Sequence, residues 1–193
     1  MILPLLSTTA PGWARLAAEN LPVFLADHAV CEQQAALAAL ALVGHYPDDA
    51  ELVDRMTALA AEEISHLRRV ASILHRRGWP VAKRRPNPWV AALRAHIESD
   101  REPGLKADRL LVCALIEARS CERFTRLSEV VDDDEVARLL HDLGPAEARH
   151  WKMFHTLAAR EIPPDRLESR WRQWLQIERD VTARGGNSPR VHG

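Results

Sequence analysis

Leu59-Ala-Ala-Glu-Glu-Ile-Ser-His66 places a carboxylate and an imidazole three positions apart, inside a run whose apolar residues recur at helical intervals. Leu52, Met56, Leu59, Leu67, Val70 and Leu74 carry that spacing to both sides. The octet therefore belongs to one long amphipathic helix, which Asp48 and Asp49 open and Gly78 ends. Residues three apart on a helix share a face, so Glu63 and His66 can reach one ion together. Toward the N-terminus, Asn20 and Pro22 head another long helix that runs to Gly44, where His45-Tyr46-Pro47 stops it, and a short helix lies around Trp13. Toward the C-terminus, three prolines between Trp79 and Pro88 forbid a continuous helix, and a shorter connecting helix spans Trp89 to Ser99. Long helices follow from about Leu105 to Val130 and from Asp132, where Asp132 and Glu135 have the spacing of a capping box. Pro163 and Pro164 close that region, and Asp165 caps a last helix carrying Trp171 and Trp174.

Two long helices joined tightly, a crossover, then two more joined tightly is the order of a four-helix bundle with one long connection, here with additional terminal helices. Glycine and β-branched residues are scarce and no strand pattern competes, so the expected class is all-α. With 193 residues, 47% of them hydrophobic and 27% charged, the chain suits one packed domain over residues 1–184, with residues 185–193 a loose, flexible tail. A net charge of -1 argues against a uniformly basic nucleic-acid binder and leaves any such preference to a local patch. The opening residues lack a basic leader, and no apolar run is long enough to span a membrane, which points to a cytoplasmic protein without a membrane partner. Cys31, Cys113 and Cys121 are odd in number and sit in apolar helical patterns, so free buried thiols are expected.

Glu147-Ala-Arg-His150 repeats the Glu-x-x-His spacing in the last long helix. Two such pairs are a weak signal alone, since 15 Glu and 9 His in this length give roughly 0.7 by chance. Placement strengthens it. Glu32 precedes Glu63 by 31 positions and Glu117 precedes Glu147 by 30, one glutamate on each remaining long helix. Glu32 leads into the apolar run Ala35 to Val43, and Glu117 follows Leu110 to Ile116, so both point toward an interior where a carboxylate needs a partner. Four carboxylates balance two divalent cations, and two neutral imidazoles complete the shells. One glutamate from each of two helices with Glu-x-x-His from the other two is the ligand set of ferritin-like carboxylate proteins, and thiolate-free ligation suits iron first, manganese second. Glu32, Glu63, His66, Glu117, Glu147 and His150 are the predicted metal ligands and, through the metals, the predicted catalytic residues. Equal spacing favours Glu117 over Glu122, which is left to Arg119, Arg123 or Arg126. His66 favours Glu63 over Glu62. His28, one turn before Glu32, is either a hydrogen-bond donor to a ligand carboxylate or a packed histidine. Gly144-Pro145 should kink or restart the helix just before Glu147.

The chain resembles the tRNA 2-methylthio-N6-isopentenyladenosine hydroxylases. The resemblance rests on Asp27-His-Ala-Val-Cys-Glu32, the Leu59–His66 octet, Ile116-Glu-Ala-Arg-Ser-Cys-Glu-Arg-Phe124 and Glu147-Ala-Arg-His150, and it covers nearly all of the chain from Leu5 to Arg179. It implies a ferritin-like diiron monooxygenase that uses O2 to hydroxylate the isopentenyl group of a modified adenosine beside the tRNA anticodon, with the six ligands above. No iron–sulfur cysteine cluster or nucleotide-binding fingerprint accompanies it, so an external reductase or ferredoxin must supply electrons. A monomer or small homo-oligomer is expected. The alternatives are another ferritin-like oxidase, peroxidase or iron-handling protein, and a non-catalytic tRNA-binding bundle. Between Ile64 and Ile97 there is no acidic residue, while Arg68, Arg69, Arg76, Arg77, Lys83, Arg84, Arg85 and Arg94 are basic. Of these, Arg76, Arg77, Lys83, Arg84 and Arg85 are the candidate RNA contacts, with Trp79 and Trp89 as candidate stacking groups; a solvated basic loop anchored by its tryptophans is the other reading.

Overall fold

The structure is a computed structural model that describes residues 3–83, 87–97, 101–185 and 188–192. Among these residues the chain is helical without strands: α1 (Pro11–Glu19), α2 (Leu21–His45), α3 (Ala50–Arg76), α4 (Pro88–Arg94), α5 (Gly104–Ser128), α6 (Asp134–Ala158) and α7 (Pro164–Arg184). Contacts divide it into two compact units, one of Glu19–Arg85 with Pro189–Val191, the other of Met1–Ala18, Pro86–Ser188 and His192–Gly193. No described helix is long and apolar enough to cross a membrane.

In the first of these units α2 and α3 pack as an antiparallel pair. Asp49 starts α3 by accepting a hydrogen bond from the Leu52 amide at 3.1 Å. Its end is a Schellman turn: Gly78 takes φ 64°, its amide donates to the His75 carbonyl, and the Trp79 amide donates to the Leu74 carbonyl. Glycine is what that left-handed position calls for. Val191 is buried in the same unit, and its amide donates to Asp27 Oδ2 at 2.7 Å. Part of the segment expected to hang loose is therefore anchored.

The other unit is built on α5 and α6, an antiparallel pair joined by a short turn. Asp133 caps α6 by accepting from the Val136 amide at 3.1 Å, so the cap falls one residue later than the Asp132 capping box predicts; three consecutive aspartates made the register ambiguous. The cap expected from Asp165 is not formed: Pro163 holds the N-cap position of α7 and Asp165 sits in its first turn. Fully buried Arg119 on α5 ties several elements together. Its Nε donates to Glu178 on α7 at 2.9 Å, and its remaining nitrogens reach Glu122, Thr9 and the Ser7 carbonyl. Glu122 also accepts from Thr9 and Arg126. Trp89 on α4 is 5% exposed, donates to Thr182 at 3.0 Å and stacks on His192, so it is not available as an RNA stacking group.

The restart expected at Pro145 does not occur; α6 is helical from Asp134 to Ala158 with Pro145 inside it. The missing amide strands the His141 carbonyl four residues earlier, but Pro145 and His141 are both exposed and water can serve that carbonyl. Glu147 and His150 therefore keep helical spacing. Pro145→Ala should restore one hydrogen bond without moving the helix and raise unfolding free energy by about 1–3 kcal/mol, measured by denaturant melting.

Candidate metal centre

The long helices α2 and α3 bring Glu32, Glu63 and His66 together. All three are buried, and one potential ligand atom from each lies within 4.8 Å of the others. His66 Nδ1 is 3.4 Å from Glu63 Oε2 and 3.6 Å from Glu32 Oε2. His28, at 0% exposure, sets Nε2 2.5 Å from Glu32 Oε1, one turn apart on α2, with the ring nitrogen donating and the carboxylate accepting. This contact is compatible with the first of the two roles considered for His28. Glu62, set aside as a ligand, lies 3.8 Å from His66 Nε2 and faces the ring's other side. Its position four residues before His66 was the available signal.

On α5 and α6 the same arrangement recurs with Glu117, Glu147 and His150. These too are buried, with potential ligand atoms within 4.8 Å of one another. His150 Nδ1 lies 3.9 Å from Glu117 Oε2 and 3.9 Å from Glu147 Oε2. Glu122, five residues after Glu117, points instead to Arg119 and Arg126. Burial pushes its carboxyl up, but hydrogen bonds from Thr9 and the charges of Arg119 and Arg126 outweigh that and hold it below the usual range.

Of the residues singled out for RNA, Arg76 and Lys83 are exposed. Arg77 is half-buried, its guanidinium 5.1 Å from the centre of the Trp79 ring. Arg84 and Arg85 lie outside the described residues. The cysteines are free as expected, but only Cys121 is buried; Cys31 and Cys113 are partly exposed.

Residues 2–193 match the family described as tRNA-(ms2io6A)-hydroxylase (MiaE). A Pseudomonas putida protein named tRNA 2-(methylsulfanyl)-N(6)-isopentenyladenosine(37) hydroxylase is 37% identical, the match covering 78% of this chain and 72% of the relative. A protein of the same name from Salmonella typhimurium is 28% identical over 90% of this chain and 81% of its own. Among solved structures, a protein from Synechococcus with aldehyde deformylating oxygenase activity superposes with TM-score 0.93 at 30% identity, covering all of this chain and 96% of that one. The fold class read from the sequence, all-α and ferritin-like, is the one found.

Each set of three offers two carboxylates and an imidazole without thiolate, the donors that hard and borderline divalent metals prefer. Ligands about 2 Å from one ion lie roughly 3–4 Å from each other, and the separations within each set fall in that range. Burial pushes the Glu32 carboxyl above its usual value, with His28 opposing it. Burial would lower His66, but Glu32 and Glu63 outweigh it and raise the ring from 6.5 to about 9. Protonated His66 thus stands in for a cation between the carboxylates. Its contribution to stability is complete below pH 6.5 and is lost as pH rises to about 9, and raised Glu32 acts in the same direction. The melting temperature of metal-free protein should fall across that window, and His66→Gln should flatten the slope. Saturating divalent metal should flatten it too, by displacing the proton. A metal-free melting temperature that holds or rises between those pH values would contradict this.

Proposed function

Because the chain belongs to the MiaE family of tRNA hydroxylases, we propose that it is an O2-dependent diiron monooxygenase hydroxylating the isopentenyl group of 2-methylthio-N6-isopentenyladenosine beside the tRNA anticodon. The observation that carries this reading is the recurrence of one buried ligand set on two helix pairs. Glu32, Glu63 and His66 with Glu117, Glu147 and His150 would hold two irons, four carboxylate charges matching two divalent cations. Bound iron supplies the redox chemistry by which O2 is activated.

The chain's own residues set the conditions for that chemistry. His28 fixes one oxygen of Glu32 by donating to it, leaving the other for metal. Glu62 lies 3.8 Å from His66 Nε2, while Nδ1 of the same ring is turned to Glu32 and Glu63. Burial of both sets keeps water from competing for ligands and strengthens each charge interaction. Hydroxylation inserts one oxygen atom into an allylic C–H bond and reduces the other to water, which consumes two electrons and two protons. A reductase or ferredoxin must deliver those electrons. The substrate RNA is held through its phosphates, for which the exposed cations at the end of α3 and just beyond it, Arg76 and Lys83 among them, are suited.

Glu63→Ala and His66→Ala should each lose iron and turnover together, and retention of both would overturn the ligand assignment. Mass spectrometry of tRNA nucleosides after incubation with iron-loaded protein, reductant and O2 should show a gain of one oxygen on the prenylated adenosine. Unchanged nucleosides with a full metal site would point to another substrate. Arg76→Ala should weaken tRNA binding for all sequences alike and shallow the dependence of log affinity on log salt by roughly 0.7–0.9. An unchanged salt slope would remove Arg76 from the interface.

A further inference from the structure

Between Lys106 and Phe124 one line of residues breaks the burial of α5. Arg109, Cys113 and Ile116 are partly exposed, whereas Leu110, Leu111, Val112, Ala114, Leu115 and Glu117 around them are buried. At about 100° per residue the three fall within roughly 60° of one another around the helix, so the openings form a single strip. Cys113 is one turn before Glu117, the side-by-side relation of positions four apart. The next residue on the strip, Ser120, is buried, with its Oγ 3.1 Å from His192 Nε2. His192 in turn lies stacked on Trp89 of α4, ring centres 4.9 Å apart and planes 8° from parallel. The strip is open along Arg109, Cys113 and Ile116 and closed at the following turn.

Cys113 is half-buried on this strip. Burial pushes its thiol up to about 12, the charge of Glu117 adds to the shift, and Arg94 at the end of α4 opposes it. Cys113 thus sits within electrostatic reach of Glu117 and Arg94 while keeping surface that solvent can touch. A half-buried side chain one turn from a buried glutamate can border a way in toward it, and one lined by a thiol and an isoleucine favours hydrocarbon over charge.

Building on the tRNA-hydroxylase reading, we propose that the Arg109–Cys113–Ile116 strip of α5 is the passage along which the substrate's prenyl group reaches Glu117. Cys113 limits the bulk admitted, and the stacked Trp89 and His192 close the far end.

The test compares iron-loaded wild type, Cys113→Ala and Cys113→Trp on three anticodon stem-loop RNAs whose target adenosine carries an isopentenyl group, a bulkier geranyl group or neither. Iron content, equilibrium binding and turnover are read for each pair. Cys113→Ala should shift the kcat/KM ratio toward the geranyl substrate by about tenfold. Cys113→Trp should keep its iron and its affinity for the unmodified RNA but lose the extra affinity that the isopentenyl group confers on wild type. Should Cys113→Trp lose iron or structure, Cys113→Ala decides alone. Variants with the wild-type ratio and wild-type prenyl preference overturn the passage while leaving the hydroxylase reading in place. A wild type that neither prefers nor oxidises prenylated RNA overturns the hydroxylase reading, and the passage with it.

Discussion

A carboxylate buried beside another carboxylate is the constraint around which each helix pair is arranged. Glu32 is buried beside Glu63, and Glu117 beside Glu147. Neither arrangement is tolerable as bare charge, because a desolvated anion must gain a proton or a cation. The response is visible in the protein itself, where burial lifts the Glu32 carboxyl and the carboxylates lift His66. Everything that keeps the helices in register serves the same end. The Asp49 cap and the Gly78 turn fix both ends of α3, and the Asp133 cap fixes the start of α6. A shift of one residue would turn a ligand by about 100° and disperse its set.

Glutamates of α5 show how neighbours decide the role of one residue type. Glu117 lies with Glu147 and His150, a grouping that favours a cation. Glu122, on the other side of the same helix, meets Thr9, Arg119 and Arg126, and these hold its carboxyl ionised without metal. The Arg119–Glu178 pair beside it is buried on both sides. Buried pairs of this kind contribute little net stability but are strongly disruptive to break. Their effect here is to fix α7 and the N-terminal residues Ser7 and Thr9 against α5. The segment Ile116–Phe124 therefore carries two charge systems on opposite faces, one suited to metal and one that organises the protein around it.

Local features were legible in the sequence and contacts between distant residues were not. Apolar spacing marked each long helix, and the three-residue interval identified Glu63 with His66 and Glu147 with His150, because both follow from helix geometry alone. Near-equal spacing between halves also separated Glu117 from Glu122. By contrast, Val191 meets Asp27 across 164 positions and Trp89 meets Thr182 across 93, and nothing near either residue announces its partner. The continuity of α6 through Pro145 was hidden for a related reason. It turns on whether the His141 carbonyl faces solvent, which only the packed structure decides. Partial exposure of Cys31 and Cys113 was likewise invisible in apolar surroundings that read as core.

Burial of Trp89 changes what the basic run from Ile64 to Ile97 can mean. As one stretch of sequence it reads as a single cationic surface flanked by two aromatic residues. Its parts have different surroundings. Arg76 and Lys83 are exposed, and Arg77 is stacked against Trp79. Further along, Trp89 is committed to Thr182 and His192, while the charge of Arg94 is felt at Cys113, one turn from Glu117. On the proposed function, phosphate neutralisation and access to the ligand set would be separate tasks of this run. The absence of acidic residues across it would serve both, since a carboxylate in either part would oppose the approach of the proposed anionic substrate.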